Sequence, residues 1–114
     1  MNQFERKKIR EKELAKAKEL VYCRSKGICE HCRLNIATDF SHNIPRKTDN
    51  YKYYSDIMNI NHFCRSCHSL YDSYKVKEFA KINIENFFDM MNFLLSENQT
   101  NRYYKYMALF VDGN

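Results

Sequence analysis

The chain has little glycine and less proline, two and one in 114 residues. So few flexible or helix-breaking positions exclude a Gly/Pro-rich linker and any long disordered tail, and no internal repeat is visible. No stretch approaches the roughly 20 apolar residues needed to cross a bilayer. The opening "MNQFERKKIREKE" is charged where a secretory signal would be apolar, so an intracellular protein without membrane attachment is expected. Apolar residues make up 44% of the chain, with Tyr and Phe prominent, which suits one modest core and a single domain over 1–114.

The net charge is +5 and unevenly placed. Residues 1–26 hold nine Lys or Arg against four Glu, so the remainder is balanced. Two readings stand. A basic arm on a neutral domain is the electrostatic footprint of a nucleic-acid binder, with Lys7, Lys8, Arg10, Lys12, Lys16 and Lys18 tracking phosphates. The same residues could instead form a solvated helix laced with Glu–Lys pairs.

Hydrophobic spacing predicts the elements. "FERKKIREKELAKAKELVYC" reads as a helix with Phe4, Leu14, Ala17 and Val21 as a narrow apolar stripe, stopped by Gly27. "LNIATDFSHNIPRKTDNYKYYSD" reads as one strand followed by a long loop, and "IMNINHF" as a second strand. "HSLYDSYKVKEFA" turns helical after Cys67. "NIENFFDMMNFLL" carries Ile84, Phe87, Phe88, Met91, Leu94 and Leu95 at helical spacing, and "NRYYKYMALF" is a last short helix. The fold class is therefore α+β: a basic helix over 1–26, a core over 27–78 and C-terminal helices over 79–114.

Five cysteines in a reducing compartment call for a metal or a reactive thiol. Cys29-x-x-Cys32 and Cys64-x-x-Cys67 form two knuckles, each able to direct two thiolates at one tetrahedral Zn²⁺, and neither opens a thioredoxin-like strand–helix unit. Cys23, beside Val21 and Tyr22, reads as a small buried hydrophobe. His31 and His62 read as knuckle-surface or sheet residues.

Between and beside the knuckles lie Ser41-His42 in "DFSHNIPR", Asn59 five residues before Cys64, and His68 directly after Cys67. With "GICEHC" and "CRSCH", this order over residues 22–75 resembles the HNH endonuclease family, and "SH" followed by Arg most resembles its phage-type members. The resemblance implies a small ββα-metal (HNH) core stapled by a four-cysteine zinc around one catalytic divalent ion, with Mg²⁺ or Mn²⁺ as the cofactor and DNA as the partner. It implies His42 as general base, His68 as a ligand of the ion, and Asn59 as the residue that ties the loop and orients the base. Arg46 and Arg65 flank these positions and could clamp a phosphate.

One position departs from the family. An acidic ligand commonly precedes the base, and here Ser41 stands there, a weak ligand for a hard cation. Strand alternation puts Asp39 on the same side as Ser41, which makes it the nearest carboxylate able to help. The rival reading is a non-cleaving zinc-stapled DNA-binding or adaptor module. The apolar C-terminal helices could in either case form a homodimer or dock to a larger nucleic-acid-processing complex.

Overall fold

A computed structural model describes residues 1–112; the last two residues of the segment 79–114 lie outside the described residues. The fold is α+β and mostly helical, with one two-stranded antiparallel sheet among the described residues. Among the described residues no helix is long and apolar enough to cross a membrane.

Helix α1 spans Gln3–Ser25, capped by the Asn2 side chain, which accepts from the Glu5 amide at 2.9 Å. Leu14, Ala17 and Val21 fall on one face and are buried with Tyr54 and Ile60. Phe4 departs from the predicted stripe and is 74% exposed. It lies ten residues, about 15 Å of helix, before Leu14, where the helix has run past the element it packs on. Lys26 takes the left-handed cap at φ 57° and its amide donates to the Tyr22 carbonyl; Gly27 follows at φ 78°. A side chain on Gly27 would also press on the Tyr22 hydroxyl, 3.1 Å from where its Cβ would sit.

The first knuckle is a tight hairpin. The Cys29 amide donates to the Asn35 carbonyl at 2.8 Å, the Arg33 amide donates to the Cys29 carbonyl at 2.9 Å, and Ile28 bridges Ile36. Strand β1 (Asp39–His42) then pairs with β2 (Ile60–Phe63) in the register Asp39↔Phe63, Phe40↔His62, Ser41↔Asn61 and His42↔Ile60. The pleat puts Asp39 and Ser41 on one face, Phe40 and His42 on the other. The second face lies toward α1: Lys18 sits 5.5 Å from the Phe40 ring. Arg24, near the end of α1, clamps Glu30 at 2.6 and 2.8 Å and donates to the carbonyls of Ile57 and Ile60, tying α1 to the start of β2.

The long loop between the strands carries one helical turn, α2 (Thr48–Tyr51), with Asp49 and Asn50 in the left-handed conformation. After β2 come α3 (Arg65–Asp72), α4 (Val76–Ile82), α5 (Ile84–Ser96) and α6 (Thr100–Asp112). The single helix expected over "HSLYDSYKVKEFA" is thus two, starting earlier, at Arg65, and broken at Tyr74, which adopts φ 60°. The break lets Val76, Phe79 and Ala80 turn into the main core with Phe63, Tyr71, Phe87, Met91 and Leu94. Of the apolar residues predicted on α5, Phe87, Met91 and Leu94 are buried, whereas Ile84, Phe88 and Leu95 are exposed at the margins of that face, Phe88 in T-shaped contact with Phe110 of α6.

Candidate functional site

The two knuckles meet. The Sγ atoms of Cys29, Cys32, Cys64 and Cys67 all lie within 4.8 Å of one another, with Cys32 and Cys64 4.0 Å apart. A tetrahedral Zn²⁺ with bonds of about 2.3 Å separates its sulfurs by roughly 3.8 Å, so the four thiols can hold a structural metal such as zinc. Burial pushes the Cys29 and Cys67 thiols up. Burial also opposes ionisation of Cys64, but the Cys67 amide and the Asn35 side chain outweigh it and bring its pKa down to about 7. The Asn35 amide nitrogen stands 3.6 Å from the Cys64 sulfur, an outer partner of the kind that supports a thiolate ligand. Cys23 is free, outside the cluster, and exposed rather than buried, because it faces away from the stripe that α1 buries.

His31 is not a knuckle-surface residue. It is fully buried, its ring stacked on Phe79 at 3.6 Å. Its Nε2 donates to the Phe79 carbonyl and its Nδ1 accepts from Asn86 at 2.9 Å, so the neutral ring is satisfied at both nitrogens. Burial lowers its pKa, consistent with a neutral core residue that fastens the first knuckle to α4 and α5. His62 is a buried sheet residue, stacked on Phe40 at 4.4 Å and hydrogen-bonded to the Ser25 hydroxyl.

His42 ends β1, half-buried, with Nε2 2.9 Å from the Tyr54 carbonyl. A carbonyl only accepts, so Nε2 carries the proton and Nδ1 keeps its lone pair. Burial lowers the pKa of His42 first; the Tyr54 carbonyl works against that, and the cations of Arg46 and Lys18 add to it. The outcome is a neutral imidazole beside two positive charges. Asn59 fixes the backbone around it. This fully buried side chain accepts from the Ile44 amide at 2.7 Å and donates to the carbonyls of Ile44 and Tyr53 at 3.0 and 3.1 Å.

His68, on α3, is drawn to Asp39 rather than to His42; the two histidines share no hydrogen-bond partner among the described residues. Its Nδ1 lies 2.8 Å from Asp39 Oδ2 and its Nε2 3.0 Å from Asp72 Oδ2. Arg65 grips the same Asp39 at 2.7 and 3.1 Å. The Arg65 hydrogen bonds, then His68, hold the Asp39 carboxyl well below the usual carboxylate range. Ser41 shares Asp39's face of the strand but is buried opposite Asn61, so Asp39 is the one of the pair in contact with His68. Asp39, Arg65, His68 and Asp72 line an open cleft with Phe40, Ser69 and Ser73.

Of the basic residues singled out in the sequence, Lys7, Lys8, Lys12 and Arg46 are exposed, while Arg10 stacks over the Tyr51 ring at 3.9 Å. Two residues escape a linear reading. Asp72 is signalled only by its i,i+4 spacing from His68 on a helix, and Tyr54 acts through a backbone carbonyl, which any residue type would supply. In comparisons with known proteins, no family model, no curated protein and no solved structure matches the chain.

Proposed function

We propose that the chain is a metal-dependent HNH-type endonuclease that hydrolyses DNA phosphodiester bonds. In this reading β1, β2 and α3 form a ββα-metal core, zinc on Cys29, Cys32, Cys64 and Cys67 would brace it, and Mg²⁺ or Mn²⁺ would be held by Asp39 and His68. The scissile phosphate would lie over the end of β1, since His42 projects from the other face of the strand. The observation that carries it is His42: a half-buried neutral imidazole with its Nε2 proton committed to a carbonyl, its Nδ1 lone pair free and two cations beside it. A general base for phosphodiester hydrolysis needs those properties.

His42 Nδ1 takes the proton of the attacking water, and Tyr54 holds the ring in the working tautomer. Lys18 and Arg46 hold the phosphate by charge, Arg46 with the planar fork that matches phosphate oxygens. Asn59 keeps the Ile44–Tyr53 loop closed, and so keeps the Tyr54 carbonyl in line with His42. The donors fit a hard divalent ion that keeps several waters, since Asp39 would supply a carboxylate oxygen beside His68 Nδ1 while Asp72 holds the far ring nitrogen, Nε2. Bound there, such an ion would neutralise charge growing on the phosphate and the leaving oxygen.

Nicking of supercoiled plasmid by the zinc-loaded protein tests this reading: relaxed circles should form with Mg²⁺ or Mn²⁺ and not in EDTA. The Arg65 grip on Asp39 favours a second reading, a non-cleaving zinc-stapled DNA-binding module. A protein that shifts duplex DNA in a gel but nicks it with no divalent ion is that module.

A further inference from the structure

We propose that Arg65 is a latch on the divalent-ion seat: it occupies the Asp39 carboxylate in competition with the ion and is drawn off by a nucleic-acid phosphate. The proposal rests on the reading of Asp39 and His68 as the ion's ligands, and it adds that ion and substrate load together.

Both oxygens of Asp39 are taken. Oδ2 accepts from Arg65 Nε at 2.7 Å and lies 2.8 Å from His68 Nδ1, and Oδ1 accepts from Arg65 Nη2 at 3.1 Å. An ion seated between Oδ2 and Nδ1 must therefore displace a guanidinium contact, and it meets a positive charge as it approaches. His68 lies between two carboxylate acceptors, with Nδ1 2.8 Å from Asp39 Oδ2 and Nε2 3.0 Å from Asp72 Oδ2, so an ion at the seat would also take the place of the Nδ1 proton. Nε2–H would then stay donated to Asp72, the carboxylate–imidazole–metal order that fixes a ligand tautomer.

The two halves of the latch differ in mobility. The Asp39 side chain is 11% exposed and held by the strand, whereas the Arg65 side chain is 77% exposed at the first residue of α3. A solvent-facing ion pair is weak and screened, so it can open without disturbing the core. The group best suited to open it is one that a guanidinium fork binds as it binds carboxylate, with at least equal charge: a phosphate. A backbone phosphate arriving in the cleft would take Arg65 and leave Asp39 free for the ion. Linkage then requires the reverse, that the ion improve phosphate binding.

The test uses the zinc-loaded full chain and Mn²⁺ titrations read by the electron paramagnetic resonance signal of free Mn²⁺. Without nucleic acid, Arg65→Gln should bind Mn²⁺ about 2- to 5-fold more tightly than wild type, the release expected from one exposed ion pair. Arg65→Lys, which keeps the charge and loses the fork, should fall between. Binding of a short duplex, followed by fluorescence anisotropy, should tighten with Mn²⁺ in wild type and lose most of that gain in Arg65→Gln. Mn²⁺ affinity in Arg65→Gln equal to or weaker than wild type overturns the latch, as does an undiminished Mn²⁺ effect on duplex binding. Asp39→Asn separates the levels: loss of the Mn²⁺ site in that variant upholds the seat whatever Arg65 does, while unchanged Mn²⁺ binding ends both the seat and the latch.

Discussion

Asn59 and His42 are coupled through two consecutive carbonyls: Asn59 holds that of Tyr53 at 3.1 Å, and His42 donates to that of Tyr54 at 2.9 Å. The amide that closes the loop thereby positions the acceptor that sets the imidazole tautomer. Asn59→Ala leaves the Ile44 amide and two carbonyls without their buried partner, which should cost about 2–4 kcal/mol in urea unfolding. Limited proteolysis should cut the variant between residues 44 and 53 well before wild type. Unchanged stability and cutting would mean that water replaces the amide and the loop closes without it.

The pH dependence follows from the direction of the His42 shift. Burial, Arg46 and Lys18 lower its pKa from the ordinary 6.5, so the neutral base persists further into acid. Cleavage should rise with pH through a midpoint below 6.5 and level off above it. Lys18→Gln removes one of the depressing charges and should move that midpoint upward by a few tenths of a pH unit. Because the folded pKa is lower than the unfolded one, His42 also contributes stability that is present above the ordinary value and lost as pH falls through the folded one. A midpoint that stays fixed in Lys18→Gln would place Lys18 too far from the base to matter.

Metal and fold should be inseparable. A structural zinc contributes about 10 kcal/mol or more of binding energy that doubles as folding energy. One metal per chain is expected by elemental analysis, and a strong chelator should abolish the cooperative melt. Cys64→Ala should lose the metal, whereas Cys23→Ala should keep it, since Cys23 is exposed and apart from the tetrad. A Cys64→Ala protein that melts like wild type would show that the tetrad holds nothing together.

The basic helix divides into two kinds of residue. Lys7, Lys8 and Lys12 are exposed, and each that contacts a phosphate should lower the salt dependence of DNA binding by about 0.9 in log–log slope when replaced by Gln. Arg10 stacks on Tyr51 and should cost stability as well as charge. A triple Lys7, Lys8, Lys12→Gln variant with an unaltered slope would make α1 a solvated face resting on Leu14, Ala17 and Val21.

Much of this was legible in the chain because it is local. Helix formers without a break define α1, its buried residues recur at helical spacing, Cys-x-x-Cys pairs announce the tetrad, and alternation puts Asp39 beside Ser41. What was not legible depends on partners far along the chain. His31 sits in a knuckle that looks like surface, yet its cover comes from Phe79 and Asn86, 48 and 55 residues away. Phe4 has the right spacing but lies beyond the end of what α1 packs against. The break at Tyr74 carries neither Gly nor Pro and is settled by how α4 enters the core. The Arg65–Asp39 pair joins residues 26 apart whose separate roles gave no hint of contact.

The most direct measurement compares His42→Ala with wild type in plasmid nicking with Mn²⁺, at matched zinc content and matched duplex binding. Removal of the base while the zinc brace is spared should slow cleavage by roughly 10² or more with DNA affinity retained. Equal nicking rates for the two proteins would contradict the account, for the group on which the proposed chemistry rests would then have no part in it.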